Sequence, residues 1–168
     1  MVRETLAVAA RGDGRRFAER YYRGLTEMVR TACPPVLGHL DLLKKQNAQL
    51  GLFDPGDTWY RSLVSVTLDA IAETGCIVEV NTGGMARSGH NEPYPSWEIL
   101  AEVRERGIPI QLNSDTHQAD TIDFAYGPVR EGLKALGFDG QRVFSAGKWV
   151  DRSWGCFFPF ALALLDYT

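Results

Sequence analysis

A parallel α/β fold is predicted for this sequence by three observations. Amphipathic helical segments alternate with short β-branched runs, glycine or proline punctuates the helices, and the polar residues suited to chemistry gather just after the apolar runs. Such a sheet is either open or closed into a barrel, and in both forms functional groups lie at the carboxyl ends of the strands.

Each element has its own local reason. Arg15 to Thr31 places Phe17, Tyr21, Leu25 and Met28 on one face at steps of three and four, which predicts a helix ended by Pro34-Pro35. Val36 to His39 follows as a short strand with a polar end. Asp57 to Thr74 predicts the next helix, capped by Asp57 or Thr58 and closed by Gly75. Cys76 to Val80 is a β-branched run, a buried strand that stops at Asn81. Pro95 to Arg106 predicts a third helix, starting at Pro95 or Ser96 and followed by Gly107. Ile108 to Leu112 is a third strand, running into Asn113-Ser114-Asp115-Thr116-His117. A fourth helix is expected over Ile122 to Leu136, closed by Gly137, and Val143 to Ser145 reads as a last strand. No linker, repeat or low-complexity segment interrupts the 168 residues, so one domain is expected, with 149–168 as an apolar tail.

Composition removes several classes of function. With 45% apolar and 23% charged residues the chain has the balance of a soluble globular domain, not of a disordered one. A net charge of −3 argues against a nucleic-acid partner, and the four tryptophans have no basic residues interleaved with them. Cys33, Cys76 and Cys156 are odd in number and widely spaced, which fits reduced, mostly buried thiols and a cytoplasmic protein. Met1 to Arg16 holds four arginines and no signal-peptide core, and the apolar run from Trp154 to Leu165, broken by Pro159, is too short to span a bilayer. No membrane partner is expected.

Three segments carry candidate chemistry. Gly38-His39-Leu40-Asp41 sets an imidazole and a carboxylate just past a strand, and Asn113 to His117 does the same with Asp115 and His117. In an extended segment alternate residues point the same way, so Asp115 and His117 could share one metal ion or hold two adjacent ones; a polar surface loop would read alike. Between them, Asn81 to Arg87 holds Gly83-Gly84, whose backbone permits close approach, and Arg87, either an anion clamp or a solvated turn residue. Glu79 reads as a buried carboxylate paired to a neighbour, and His90 as a surface histidine. There is no G-x-S-x-G nucleophile motif and no P-loop or dinucleotide fingerprint.

Taken in order, Val36 to Lys45 around Gly38-His39-Leu40-Asp41, Glu79-Val80-Asn81-Thr82-Gly83-Gly84-Met85-Ala86-Arg87, Tyr94-Pro95-Ser96 and Asn113-Ser114-Asp115-Thr116-His117 resemble the PHP (polymerase and histidinol phosphatase) superfamily. The closest likeness is to its histidinol phosphatases, and it covers about Phe17 to Lys148. The resemblance implies a distorted (βα)7 barrel with a multinuclear site of divalent ions (zinc, manganese or iron) at the strand ends. It implies His39, Asp115 and His117 as metal ligands, Asp115 also as the catalytic proton donor, Arg87 as the holder of the substrate phosphate, and Asp41 as a supporting carboxylate. The substrate implied is a small phosphate monoester, L-histidinol phosphate, hydrolysed in histidine biosynthesis. The family's opening His-x-His strand and its following His and Glu ligands have no counterpart here. The expectation is therefore a partial barrel of about four parallel βα units with incompletely bound metal, lacking an N-terminal half or completed in a homo-oligomer. The alternatives are a PHP phosphoesterase of another substrate and a non-catalytic half-barrel that dimerises or docks on a partner.

Overall fold

In the computed structural model, which describes residues 13–89 and 91–155, three parallel strands form a sheet in the order β1 (Val36–Leu37), β2 (Ile77–Asn81) and β3 (Ile110–Asn113). The register is Val36 to Ile77 and Leu37 to Val78 on one side, and Val78 to Ile110 through Asn81 to Asn113 on the other. It aligns the carboxyl ends of β2 and β3, so Asn81 and Asn113 stand side by side.

The helices follow from local chemistry. Asp13 opens α1 (Gly14–Ala32) by accepting a hydrogen bond from the Arg16 amide at 3.1 Å, and Cys33 closes it in a left-handed conformation. Two further helices, α2 (Leu43–Leu50) and α3 (Thr58–Thr74), lead to β2, and Gly75 ends α3 as expected. Asp57 stands at the α3 cap but spends its carboxylate on the Trp59 indole, 2.9 Å away. α1 lies along α3, burying Ala18, Tyr22 and Val29 against Val64, Leu68 and Ile71. Two polar rungs cross this seam, Tyr22 to Tyr60 at 2.8 Å and Thr26 to Thr67 at 2.9 Å, so its few buried hydroxyls are satisfied. After β2 come α4 (Gly83–Ser88) and α5 (Trp97–Glu105); after β3, a short 3-10 turn at Ala119–Thr121 and α6 (Tyr126–Ala135).

The structure departs from expectation in several places. Among the described residues three strands run parallel and no barrel closes. The expected last strand is not a fourth parallel member: β4 (Gly140–Ser145) pairs antiparallel with β5 (Lys148–Ser153). The cause is a two-residue turn in which Ala146 and Gly147 both take positive φ, the geometry whose twist matches an antiparallel ribbon. Gln141 of β4 reaches over to accept from the Leu112 amide at 2.7 Å, covering part of the β3 edge. The first strand stops at Leu37, the last helix starts at Tyr126 rather than Ile122, and α2 and α4 were not anticipated as helices.

Of the cysteines, Cys76 is buried, with its thiol pushed up to about 11 by desolvation, and Cys33 is exposed; both are free. The expectations for His90, Cys156, the N-terminal arginines Arg3 and Arg11, and the tail beyond Gly155 lie outside the described residues. Among the described residues, no helix is long and apolar enough to cross a membrane.

Candidate functional site

The carboxyl ends of the three parallel strands bring four sequence-predicted segments together, and Glu79 is their centre. Glu79 and Asn81 are two apart on β2, so their side chains share a face. Glu79 Oε2 accepts from the His39 amide at 3.3 Å and the Asn81 side-chain amide at 3.2 Å, and lies 3.3 Å from His39 Nδ1. Glu79 Oε1 accepts from the Asn113 amide group at 3.2 Å. One carboxylate, only 12% exposed, thus ties His39, two residues past β1, to the ends of β2 and β3. The hint in the sequence was a lone acid inside a β-branched run with an asparagine two places on.

Two of the expected site residues have unusual backbones. His39 and Asp115 both take positive φ, at 59° and 47°. The other such non-glycine residues have conformational jobs: Cys33 ends α1, Ala125 stands at the start of α6 and Ala146 turns the hairpin. His39 and Asp115 are instead held at strand ends by side-chain and backbone contacts, where strain of this kind serves a site. The Tyr21 hydroxyl donates to the His39 carbonyl, fixing its peptide.

Arg87 comes from α4. It donates to the Asp115 carbonyl and, at 2.7 Å, to Asp115 Oδ2, gripping main chain and side chain together. α4 can start this close to β3 because Gly83 and Gly84 have no side chains: a Cβ on Gly83 would meet the Arg87 guanidinium and the Ser114 carbonyl, and one on Gly84 the Tyr94 ring. Burial disfavours ionised Asp115, but the hydrogen bond and charge of Arg87, with Asn81 and His39 adding, outweigh it and hold the carboxyl below its usual range. Asp115 is therefore a carboxylate at neutral pH. His117 is less engaged: it is 73% exposed and its Nε2 stands 3.8 Å from Asp115 Oδ1, beyond hydrogen-bond reach.

The three expected metal ligands do not converge on one point in this arrangement. His39 faces Glu79, Asp115 is taken by Arg87, and His117 points largely to solvent. Among the described residues no group of three or more His, Cys, Asp or Glu is placed to hold one ion.

Asp41 sits behind the site. It is fully buried, with Oδ2 accepting from the Ser96 amide at 2.9 Å and lying 3.2 Å from Lys44 Nζ. Desolvation raises its pKa against the opposing pull of Lys44 and Ser96, with Glu92 adding to the rise. A carboxyl whose folded pKa lies above its unfolded value of about 3.9 contributes most below that pH, and the contribution fades as pH rises through the folded value. Asp41→Asn keeps an acceptor for Ser96 and removes the buried charge. The urea midpoint of the wild type is thus expected to fall relative to Asp41→Asn between pH 4 and pH 7, and a pH-independent difference would contradict this.

An arginine, two carboxylates and an imidazole are thus gathered at the carboxyl ends of the parallel strands, where α/β sheets bind their ligands. The chain is 31% identical to a probable histidinol-phosphatase of Deinococcus radiodurans over 117 residues, which are 70% of this chain and 42% of that protein. It is 30% identical to the histidinol-phosphatase of Bacillus subtilis over 124 residues, 71% of this chain and 45% of that one. It is thus related to histidinol-phosphatases while spanning less than half the length of these curated relatives. No family model matches the chain.

Proposed function

We propose that this chain carries part of the active site of a cytoplasmic phosphate monoester hydrolase, of PHP type, acting on L-histidinol phosphate. The observation that carries this reading is the forked guanidinium of Arg87, presented at the ends of parallel strands beside Asp115 in a relative of two histidinol-phosphatases. Arg87 has five N–H groups, and Asp115 engages only two of its nitrogens, so donors remain for phosphate oxygens. When a phosphate dianion draws on Arg87, the interactions that keep Asp115 ionised weaken, and the added negative charge acts in the same direction. The Asp115 pKa then rises toward the value at which it can hold the proton that the leaving oxygen needs.

Counting Glu79, Asp115 and Arg87, the cluster carries one net negative charge with its histidines neutral, which repels a dianion. A divalent cation, zinc, manganese or iron, would reverse that balance, and His39, Asp115 and His117 are its proposed donors. Three donors with Asp115 shared make an incomplete set, so weak binding is expected.

The test is phosphate release by the full-length protein from L-histidinol phosphate, p-nitrophenyl phosphate and a nucleoside monophosphate, with each metal added and again after chelation. Preferential release from histidinol phosphate, lost on chelation, is the expected result. Equal rates across the panel would move the reading to a phosphoesterase of other substrates, and no release by that protein under any condition would overturn it.

A further inference from the structure

The loop before α5 is tied down more heavily than a surface connection needs, and one lysine does most of the tying. Lys44 of α2 donates from Nζ to Glu92 Oε1 and to the Pro93 carbonyl, each at 3.0 Å, and lies 3.2 Å from Asp41 Oδ2. The same ammonium stands 4.8 Å from the centroid of the Tyr94 ring. Its partners anchor the far end of the loop as well: Asp41 Oδ2 takes the Ser96 amide and Glu92 Oε2 takes the Trp97 amide. An ammonium has three N–H groups, and here three oxygens surround it while the side chain is only 15% exposed. Lys44 therefore has nothing left to offer a ligand directly.

What the clamp holds is Tyr94. Its main chain makes a two-bond bridge to Asn81, with Asn81 N to Tyr94 O at 2.7 Å and Tyr94 N to Asn81 O at 3.0 Å. Its ring lies against Gly84, the second residue of α4. Asn81 in turn accepts from the Gly83 amide at 2.8 Å and donates to Glu79. The start of α4 is thus held by Tyr94 on one side and Asn81 on the other, and α4 carries Arg87 one turn later.

We infer that Lys44 is a positioning residue: by clamping Glu92, Pro93 and Tyr94 it sets the start of α4 and so the aim of Arg87. The inference rests on Arg87 as the phosphate-binding group. It can be tested with inorganic phosphate as the probe, comparing Lys44→Met, Lys44→Arg, Arg87→Lys and the Lys44→Met/Arg87→Lys double variant in the full chain. Lys44→Met is expected to weaken phosphate binding by about fivefold or more, as for groups coupled through one network, and Lys44→Arg to restore most of it. In the Arg87→Lys background, where the fork is already lost, Lys44→Met should cost little more. Amide exchange at Tyr94 and Asn81 should quicken in Lys44→Met while the α1 and α3 amides keep their protection, which separates a lost clamp from general unfolding. Wild-type phosphate affinity in Lys44→Met, or a full additive loss in the double variant, would overturn the inference. Unchanged binding in Arg87→Lys would instead defeat the reading of Arg87. The clamp would then stand or fall on Tyr94 exchange and on whether the Arg87 side-chain N–H resonances move with Lys44.

Discussion

Replacing Arg87 by alanine is expected to lower kcat/KM for L-histidinol phosphate by about a hundredfold or more, the usual scale for removing a preorganised donor from a charged site. Two losses combine in this variant. The substrate phosphate loses its forked cation, and Asp115 loses the hydrogen bond and charge that keep its carboxyl below the normal range. The second loss makes the result diagnostic, because the Asp115 pKa should rise in the unliganded variant even as activity falls. Carboxyl titration by NMR reads that rise directly. Arg87→Lys should recover part of the phosphate affinity, since an ammonium restores charge without the two-pronged geometry. Activity within threefold of wild type in Arg87→Ala would remove Arg87 from the site, whatever happened to Asp115.

The strength of that expectation comes from how the strand ends are built, and only part of that was legible in the residues. The first long helix was plain because Phe17, Tyr21, Leu25 and Met28 repeat at helical steps, and β2 because Ile77, Val78 and Val80 are apolar β-formers, interrupted only by Glu79 and bounded by Gly75 and Asn81. Their order predicted parallel pairing, and the parallel sheet placed His39, Asn81 and Asp115 at one end of the fold. Other elements depend on contacts from elsewhere in the chain. Gly83 to Ser88 begins with two glycines and reads as a turn by propensity. It is helical because Tyr94 packs on Gly84 and Arg87 is anchored on Asp115. The hairpin was missed because Ala146-Gly147 lacks the asparagine or aspartate that usually marks a turn with two positive φ values. Asp-x-His at 115 and 117 suggested a shared ion, but the positive φ at Asp115 departs from the extended geometry on which that argument relied. His117 is consequently left facing solvent.

Glu79→Ala should be the most damaging single change to the site's architecture. The carboxylate accepts from the His39 amide and from the side chains of Asn81 and Asn113. Removing it leaves the His39 amide and the Asn113 side chain in a mostly buried setting without that acceptor, while Asn81 keeps Asp115. An unsatisfied buried donor costs about 1–3 kcal/mol, and partial access of water to the strand ends limits the sum, so a loss of about 2–4 kcal/mol in unfolding free energy is expected. Glu79→Gln tests the cause. Its amide oxygen can take the position of Oε2, and the Asn113 amide can turn to offer its oxygen to the new NH2, so most hydrogen bonds survive and about 1 kcal/mol is expected to be lost. Urea unfolding of both variants, followed by tryptophan fluorescence, measures the difference. If Ala and Gln cost the same, the charge rather than the hydrogen bonds holds the strand ends. If neither costs anything, Glu79 is not the hub. A large gap between them means that His39 keeps its strained backbone because Glu79 holds its amide, and phosphate binding at Arg87 should then fall in Glu79→Ala and persist in Glu79→Gln.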